Sequence, residues 1–149
     1  MKKLFLDTNI VIDILEERKQ YSEDAVKLFT MAYYKKVKLI VSPITYSTAA
    51  YLLRKHGVAE VRRLLSNFRR LSHVAMTNEQ VVDNSLASQF EDIEDAIQYY
   101  TAIKSNADII ITRNGKDFVH SRIPVMTADE YVNTFTYPPS AQAAGAGVS

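Results

Sequence analysis

A chain of 149 residues, 47% of them hydrophobic, is long enough for one globular domain with a proper core. It contains no cysteine, which excludes disulfides, thiolate metal sites and cysteine nucleophiles and is compatible with a reducing cytoplasm. Its net charge of +1 is not that of a strongly basic nucleic-acid binder, and no apolar run reaches transmembrane or signal-peptide form, so a soluble cytoplasmic protein is expected.

Leu4-Phe5-Leu6 is a short run, apolar on both faces, which suits a central strand of a parallel sheet. Asp7-Thr8-Asn9 follows, with turn and cap chemistry, and then Ile10, Val11, Ile14 and Leu15 recur at helical spacing. A strand thus delivers the Asp7 carboxylate to its C-terminal end, where open α/β sheets bind ligands. Asp7 could serve there simply as a helix cap, but its place at that edge favours a site residue.

A second helix opens at Ser22-Glu23-Asp24 and ends at Lys35-Lys36, and Val37–Val41 is the second strand, broken by Ser42-Pro43. The third helix is expected from Thr45 to His56, stopping at Gly57, and the fourth from Val58 to Leu71. His73–Met76 is a weak third strand, and Thr77–Gln80 leads into a fifth helix. Glu91-Asp92-Ile93-Glu94-Asp95 begins a sixth. Asp108–Thr112, with three consecutive isoleucines, is the clearest strand, followed by a turn over Arg113–Asp117. Ile123–Met126 reads as a short edge strand and Thr127–Glu130 as the cap of a last helix reaching Phe135. From Tyr137 the chain is low-complexity, so a domain over residues 1–136 with a flexible tail at 137–149 is expected. About five strands alternating with helices imply an α/β fold, a three-layer αβα sandwich around a short, mostly parallel sheet.

The charges are segregated. From Arg54 to Arg70 the cations Arg54, Lys55, Arg62, Arg63, Arg69 and Arg70 face the single acid Glu60, whereas Asn78–Asp95 holds six acids and no Lys or Arg. This pattern fits either a phosphate-binding surface beside a cation pocket or two unrelated solvated helix faces. Glu91, Asp92 and Glu94 are assigned to complementing the helix macrodipole. Asp92 and Asp95 share a face, with Glu94 pointing elsewhere, and Asp95 adjoins core positions, where a carboxylate needs a cation. If the first and fourth strands are neighbours, Asp7 and Asn114 converge on one crevice that Asp95 closes from its helix. Oxygen ligands with neither cysteine nor an apt histidine suit Mg²⁺ or Mn²⁺ rather than zinc.

Leu6-Asp7-Thr8-Asn9, Glu94-Asp95-Ala96, Ile110-Ile111-Thr112-Arg113-Asn114 with Asp117-Phe118, and Ile123-Pro124-Val125 before Thr127–Glu130 together resemble a PIN domain, of the kind found in VapC ribonuclease toxins. The likeness spans nearly all of the chain before the tail. It implies a PIN-like fold and a metal-dependent endoribonuclease acting on RNA. It also implies a homodimer and an antitoxin protein as partner. By the same resemblance Asp7, Asp95 and Asp117 are catalytic, and Asp7, Asp95, Asn114 and Asp117 hold Mg²⁺ or Mn²⁺. Asn9, Thr48, Thr112, Arg113, Arg54 and Lys55 are assigned to the substrate. Two positions depart from the family pattern: its members usually carry a glutamate where Thr48 stands, and many have aspartate where this chain has Asn114. Asp92 or Asp117 is left to offset the missing charge. The rival readings are a PIN fold that binds RNA or protein without cutting and, ranked lower, a phosphotransfer domain. Asn9 lacks the acid that a haloacid-dehalogenase-type phosphatase needs, and Pro124–Thr127 lacks the lysine of a receiver domain.

Overall fold

The structure is a computed structural model that describes residues 1–16 and 22–136. The expected tail from Tyr137 lies outside the described residues. Five strands form one parallel sheet: β1 (Lys2–Leu6), β2 (Val37–Val41), β3 (Ser72–Val74), β4 (Ile109–Ile111) and β5 (Val125–Met126). The helices are α1 (Thr8–Glu16), α2 (Ser22–Tyr33), α3 (Pro43–Leu52), α4 (Val58–Arg70), α5 (Glu79–Ala87), α6 (Ile93–Lys104) and α7 (Ala128–Thr136). None of them is long and apolar enough to cross a membrane.

The strand order is β3-β2-β1-β4-β5. The chain builds outward from β1 in one direction, then returns to β1 and builds in the other. The order therefore reverses between β1 and β4, and a crevice opens at their C-terminal ends. Leu4, Phe5 and Leu6 pair with Ile109, Ile110 and Ile111, which sets Asp7 beside Thr112.

Side chains of β1 alternate between the two faces, as the pleat requires. Leu4 and Leu6 pack with Ile10, Val11 and Ile14 of α1, Leu28 of α2 and Val132 of α7. Phe5 points the other way, with Ile40 and Ile110, onto Tyr99 and Ala102 of α6 and onto Phe118. Both faces are covered, which is why the central strands read as unbroken apolar runs. A third cluster, Ile12, Ala49, Leu53 and Val61, ties α1 to α3 and α4.

Several boundaries differ from the sequence expectation, each for a local reason. Pro43 opens α3 rather than breaking the chain before it. It occupies the first turn, where its missing N–H costs nothing, and Ser42 Oγ caps the helix by accepting from Ile44 N–H at 3.1 Å. The same helix stops at Leu52 and tightens into a 3-10 turn over Arg54–His56 before Gly57, whose φ of 87° ends it. The third strand is shifted to Ser72–Val74, and the turn after β4 contains a 3-10 turn, Gly115–Phe118. Ile123 and Pro124 stay outside β5, although the Pro124 carbonyl accepts from Ile110 N–H at 3.0 Å.

Candidate active site

Asp7 is the hub of the crevice and is only 8% exposed. Its backbone N–H extends the β1–β4 pairing by donating to Ile111 O at 2.9 Å. One carboxylate oxygen, Oδ1, accepts from Thr8 N–H at 2.8 Å. The other, Oδ2, accepts from Thr112 Oγ1 at 2.8 Å and Asn9 Nδ2 at 3.1 Å. Thr112 Oγ1 in turn accepts from Asn114 N–H at 3.0 Å, and Asn9 Oδ1 from Arg113 N–H at 3.2 Å. The end of β1 and the loop after β4 are thus stitched together around one carboxylate. Burial pushes the Asp7 carboxyl above its ordinary value, and the Asp117 charge adds to this. Donation from Thr112, Thr8 and Gln98 works in the opposite direction.

Asp92 caps α6, its Oδ1 accepting from Asp95 N–H at 3.0 Å. Asp92, Asp95 and Asp117 line a cleft of about 230 Å³ together with Lys116. Burial, then the charges of Asp92, Asp7, Asp117 and Glu94, push the Asp95 carboxyl up to about 7. Asp7 and Asp117 both act on Asp95, so the three carboxylates share one field.

The sequence assigns Glu94 to the macrodipole and away from the site; it stands in the first turn of α6, and it also feels the Asp7 charge. Its carboxyl is pushed up by burial, then by Asp92 and by Asp7, and the nearby Thr48 hydroxyl works in the opposite direction. The helical repeat explains the contact. Gln98, one turn on from Glu94, donates from Nε2 to Thr45 Oγ1 at 3.1 Å, and Thr45 lies one turn before Thr48. Facing sides of α3 and α6 thus meet in two successive rungs. Thr48, singled out as a missing charge, sits beside a carboxylate carried by another helix.

Two further residues escaped the sequence reading. Gln98 is 1% exposed and also reaches Thr8 Oγ1 at 3.4 Å, while its Oε1 has no hydrogen-bond partner. Asp13 is fully buried on α1 and takes Arg113 in a forked pair, Nε to Oδ2 at 2.8 Å and Nη2 to Oδ1 at 3.3 Å. Arg113, which the sequence reading gives to the substrate, is anchored into the fold by this pair. Asn114 lines a neighbouring cleft with Asp13 and Arg113, whereas Asp117 lies with Asp95.

The basic run stands away from this edge. Lys55 pairs with Glu16 at 3.8 Å, at the end of α1 about 12 Å along the axis from Thr8 at 1.5 Å per residue. Arg54 donates to Tyr51 O at 2.7 Å and stacks over the Tyr51 ring at 4.0 Å. Arg63 is engaged by Glu60, and Arg69 Nη1 donates to Ser72 O at 2.9 Å. Nothing in their geometry directs Arg54 or Lys55 toward Asp7.

The donor set fits a hard divalent cation. Asp7, Glu94, Asp95 and Asp117 offer oxygen alone, their mutual repulsion calls for positive charge, and a buried amide oxygen of Gln98 stands unpartnered. Among the described residues no three Asp, Glu or His are grouped tightly enough to cage an ion. Mg²⁺ seldom needs such a cage, since it keeps several waters and takes one or two carboxylates together with substrate phosphate.

Comparison with known proteins bears on the fold and the family. The curated relative Ribonuclease VapC1 of Aquifex aeolicus (strain VF5) is 24% identical over 135 residues, covering 87% of this chain and 93% of its own. Among solved structures, a chain of VapBC2 from Rickettsia felis, crystallised bound to a promoter DNA fragment, superposes with a TM-score of 0.64 at 18% identity. It covers 83% of this chain and 96% of its own. A chain of a toxin-antitoxin complex from Klebsiella pneumoniae also gives 0.64, at 24% identity, with 84% and 97% covered. At these identities the structural likeness shows the fold. The family profile described as "PIN domain" matches residues 3–116, from the first strand through the loop that carries Thr112 and Arg113, and the chain belongs to the PIN domain family.

Proposed function

We propose that the protein is a divalent-metal-dependent endoribonuclease that hydrolyses RNA phosphodiesters, and the toxin of a toxin–antitoxin pair. The observation that carries this is the convergence of Asp7, Glu94, Asp95 and Asp117 on the crevice at the strand-order reversal, where burial and then the neighbouring charges push the Asp95 carboxyl up to about 7. The names of the relatives, a ribonuclease and toxin-antitoxin complexes, supply the substrate class and the antitoxin partner. A homodimer belongs to the same reading.

Asp7, Asp95 and Asp117 would hold Mg²⁺ or Mn²⁺, with Glu94 beside them. When bound, the cation would lower the pKa of a coordinated water and offset charge on the phosphate. The chain's own part is orientation. Thr112, Asn9 and the Thr8 N–H fix both oxygens of Asp7, so this carboxylate is aimed before any ligand arrives. The Asp13–Arg113 pair holds the loop leading to Asp117. Lys116 offers a cation to the RNA backbone at the edge of the acidic cleft.

The test is cleavage of a single-stranded RNA by pure protein with Mn²⁺, paired with Mn²⁺ titration calorimetry. Cleavage should vanish with EDTA and with Asp7→Asn. Cleavage that survives Asp7→Asn would overturn the assignment. Among the described residues no three acids form a tight group, which favours a second reading, a PIN fold that binds RNA or protein without cutting. Metal binding and RNA binding without cleavage would decide for it.

A further inference from the structure

The acidic cleft is continuous with a second one of different chemistry. The neighbouring cavity, about 530 Å³, shares Gln89, Phe90 and His120 with the cleft that holds Asp95 and Asp117. This volume falls within the range of small-ligand pockets. Although it lies beside a stretch with six acids in eighteen residues, no carboxylate lines it. Its walls carry His120 and Arg122 as basic groups, and Phe90, Tyr99 and Tyr100 as aromatic ones.

The aromatic wall is built, not incidental. Phe90 meets Tyr99 at 5.3 Å, Tyr100 at 6.3 Å and Phe118 at 6.3 Å between ring centroids, and Tyr99 meets Tyr100 at 5.0 Å. Tyr99 is buried and its hydroxyl accepts from Arg122 N–H at 3.1 Å, which fixes the backbone that carries the cation. Phe90 and Tyr100 are only half-buried, so part of each ring faces the cavity. Among the described residues neither Arg122 nor His120 enters a salt bridge, unlike Arg113, Lys55 and Arg63. Asn84 and Gln89 add amides able to meet the edge of a base.

We propose that this cavity is a nucleotide subsite for single-stranded RNA, stacking one base on Phe90 and Tyr100 and holding an adjacent phosphate with Arg122 and His120, next to the acids that act on the chain. The claim rests on the reading of those acids as an RNA-cleaving centre. A polynucleotide alternates flat apolar bases with anions, and this cavity pairs rings with an arginine and an imidazole that enter no salt bridge among the described residues. Stacking on aromatic side chains together with cationic contacts to the backbone is how single strands are held without a duplex groove. The position also addresses an electrostatic difficulty. A cluster of carboxylates repels RNA, and a cation-bearing pocket contiguous with it supplies attraction where the strand must lie.

The test uses the full chain in EDTA, where binding is read without cleavage. Fluorescence anisotropy of a labelled single-stranded RNA is measured for wild type, Phe90→Leu, Tyr100→Leu and Arg122→Ala, each checked for a cooperative melt. Each aromatic variant should weaken binding by roughly tenfold, the worth of one base stack. Arg122→Ala should flatten the salt dependence by about one unit of slope. Tyr100→Leu keeps the test decisive if Phe90→Leu does not fold. Saturation-transfer NMR adds adenosine monophosphate, whose base protons should receive more saturation than its ribose, with ribose 5-phosphate as control. If the wild type cuts RNA with Mn²⁺ and the variants bind it unchanged, the subsite is wrong and the proposed function stands. If the monophosphate binds through its base and the variants lose it, but no RNA is cut, the subsite stands and the proposed function falls. Equal saturation from ribose 5-phosphate, or no binding of either compound, overturns the subsite.

Discussion

The Thr48 hydroxyl of α3 acts against the upward push of burial on the Glu94 carboxyl of α6, so the position without a charge and the acid beside Asp95 are neighbours. Restoring a glutamate by Thr48→Glu alone therefore removes a donor and sets two carboxylates against each other. We expect this variant, free of metal, to melt several degrees below wild type, and Mn²⁺ to recover much of the difference. The exchange Thr48→Glu with Glu94→Thr should return both the melting temperature and the Mn²⁺ affinity toward wild type. Thermal melts and calorimetry on the three proteins check this. Thr48→Glu as stable as wild type in EDTA would mean that the two side chains do not share space.

Asp95 makes metal-free stability depend on pH in an uncommon direction. Its carboxyl rises from 3.8 to about 7, chiefly through burial and then through Asp92 and Asp7. Between those values the unfolded chain is ionised while the native state keeps the proton, so the native state binds more protons. Stability contributed by this group therefore falls as pH rises from about 4 to about 7 and is flat above that. Asp95→Asn should remove this slope and raise the melting temperature in EDTA at about pH 8, where the repulsion is complete. Melts of both proteins across that range give the difference. A parallel pair of curves would sink the expectation.

Asp13 and Arg113 are one hundred positions apart, and their forked pair joins the interior of α1 to the loop after β4. Removing one partner of a buried pair costs several kcal/mol, and with Arg113 still 28% exposed we expect about 2–3 kcal/mol for Asp13→Asn. Arg113→Lys keeps the charge but loses the fork and should cost less. Urea unfolding of the two variants measures this. An unchanged midpoint for Asp13→Asn would remove the pair from any role in holding the loop.

What could be read in advance follows from how local each signal is. Leu4-Phe5-Leu6 and the three isoleucines of β4 are two-faced apolar runs, and their parallel pairing places Asp7 beside Thr112 without further information. Asp95 draws attention because apolar positions follow it on the same helix. Glu94 does not, because its nearness to Thr48 depends on the rotation of α3 against α6, which no periodicity records. The burial of Asp13 was equally hidden, since an acid within an apolar stripe gives no hint of an arginine near the other end of the chain. For Arg54 and Lys55 the sequence offers a charge run, which has no direction. They follow α3, which begins near the crevice and leads away from it.

Gln98 offers a test that separates packing from site chemistry. It is buried, its Nε2 donates to Thr45 and Thr8, and its Oε1 is unpartnered. Gln98→Leu removes the orphan oxygen, while Thr8 and Thr45 can still bond to each other at their present 3.0 Å. We expect a stability change within about 1 kcal/mol, small for so buried a side chain, because an unmade hydrogen bond is lost along with a made one. Gln98→Glu is nearly the same shape but sets a new carboxylate beside Asp7, whose own carboxyl burial already pushes up. In EDTA this variant should melt well below wild type. Mn²⁺ should narrow the gap, because a cation at the Asp7 crevice offsets the added charge. A deficit of the same size with and without Mn²⁺ would show that Gln98 lies outside the cation's reach, and the candidate site would then end at Glu94.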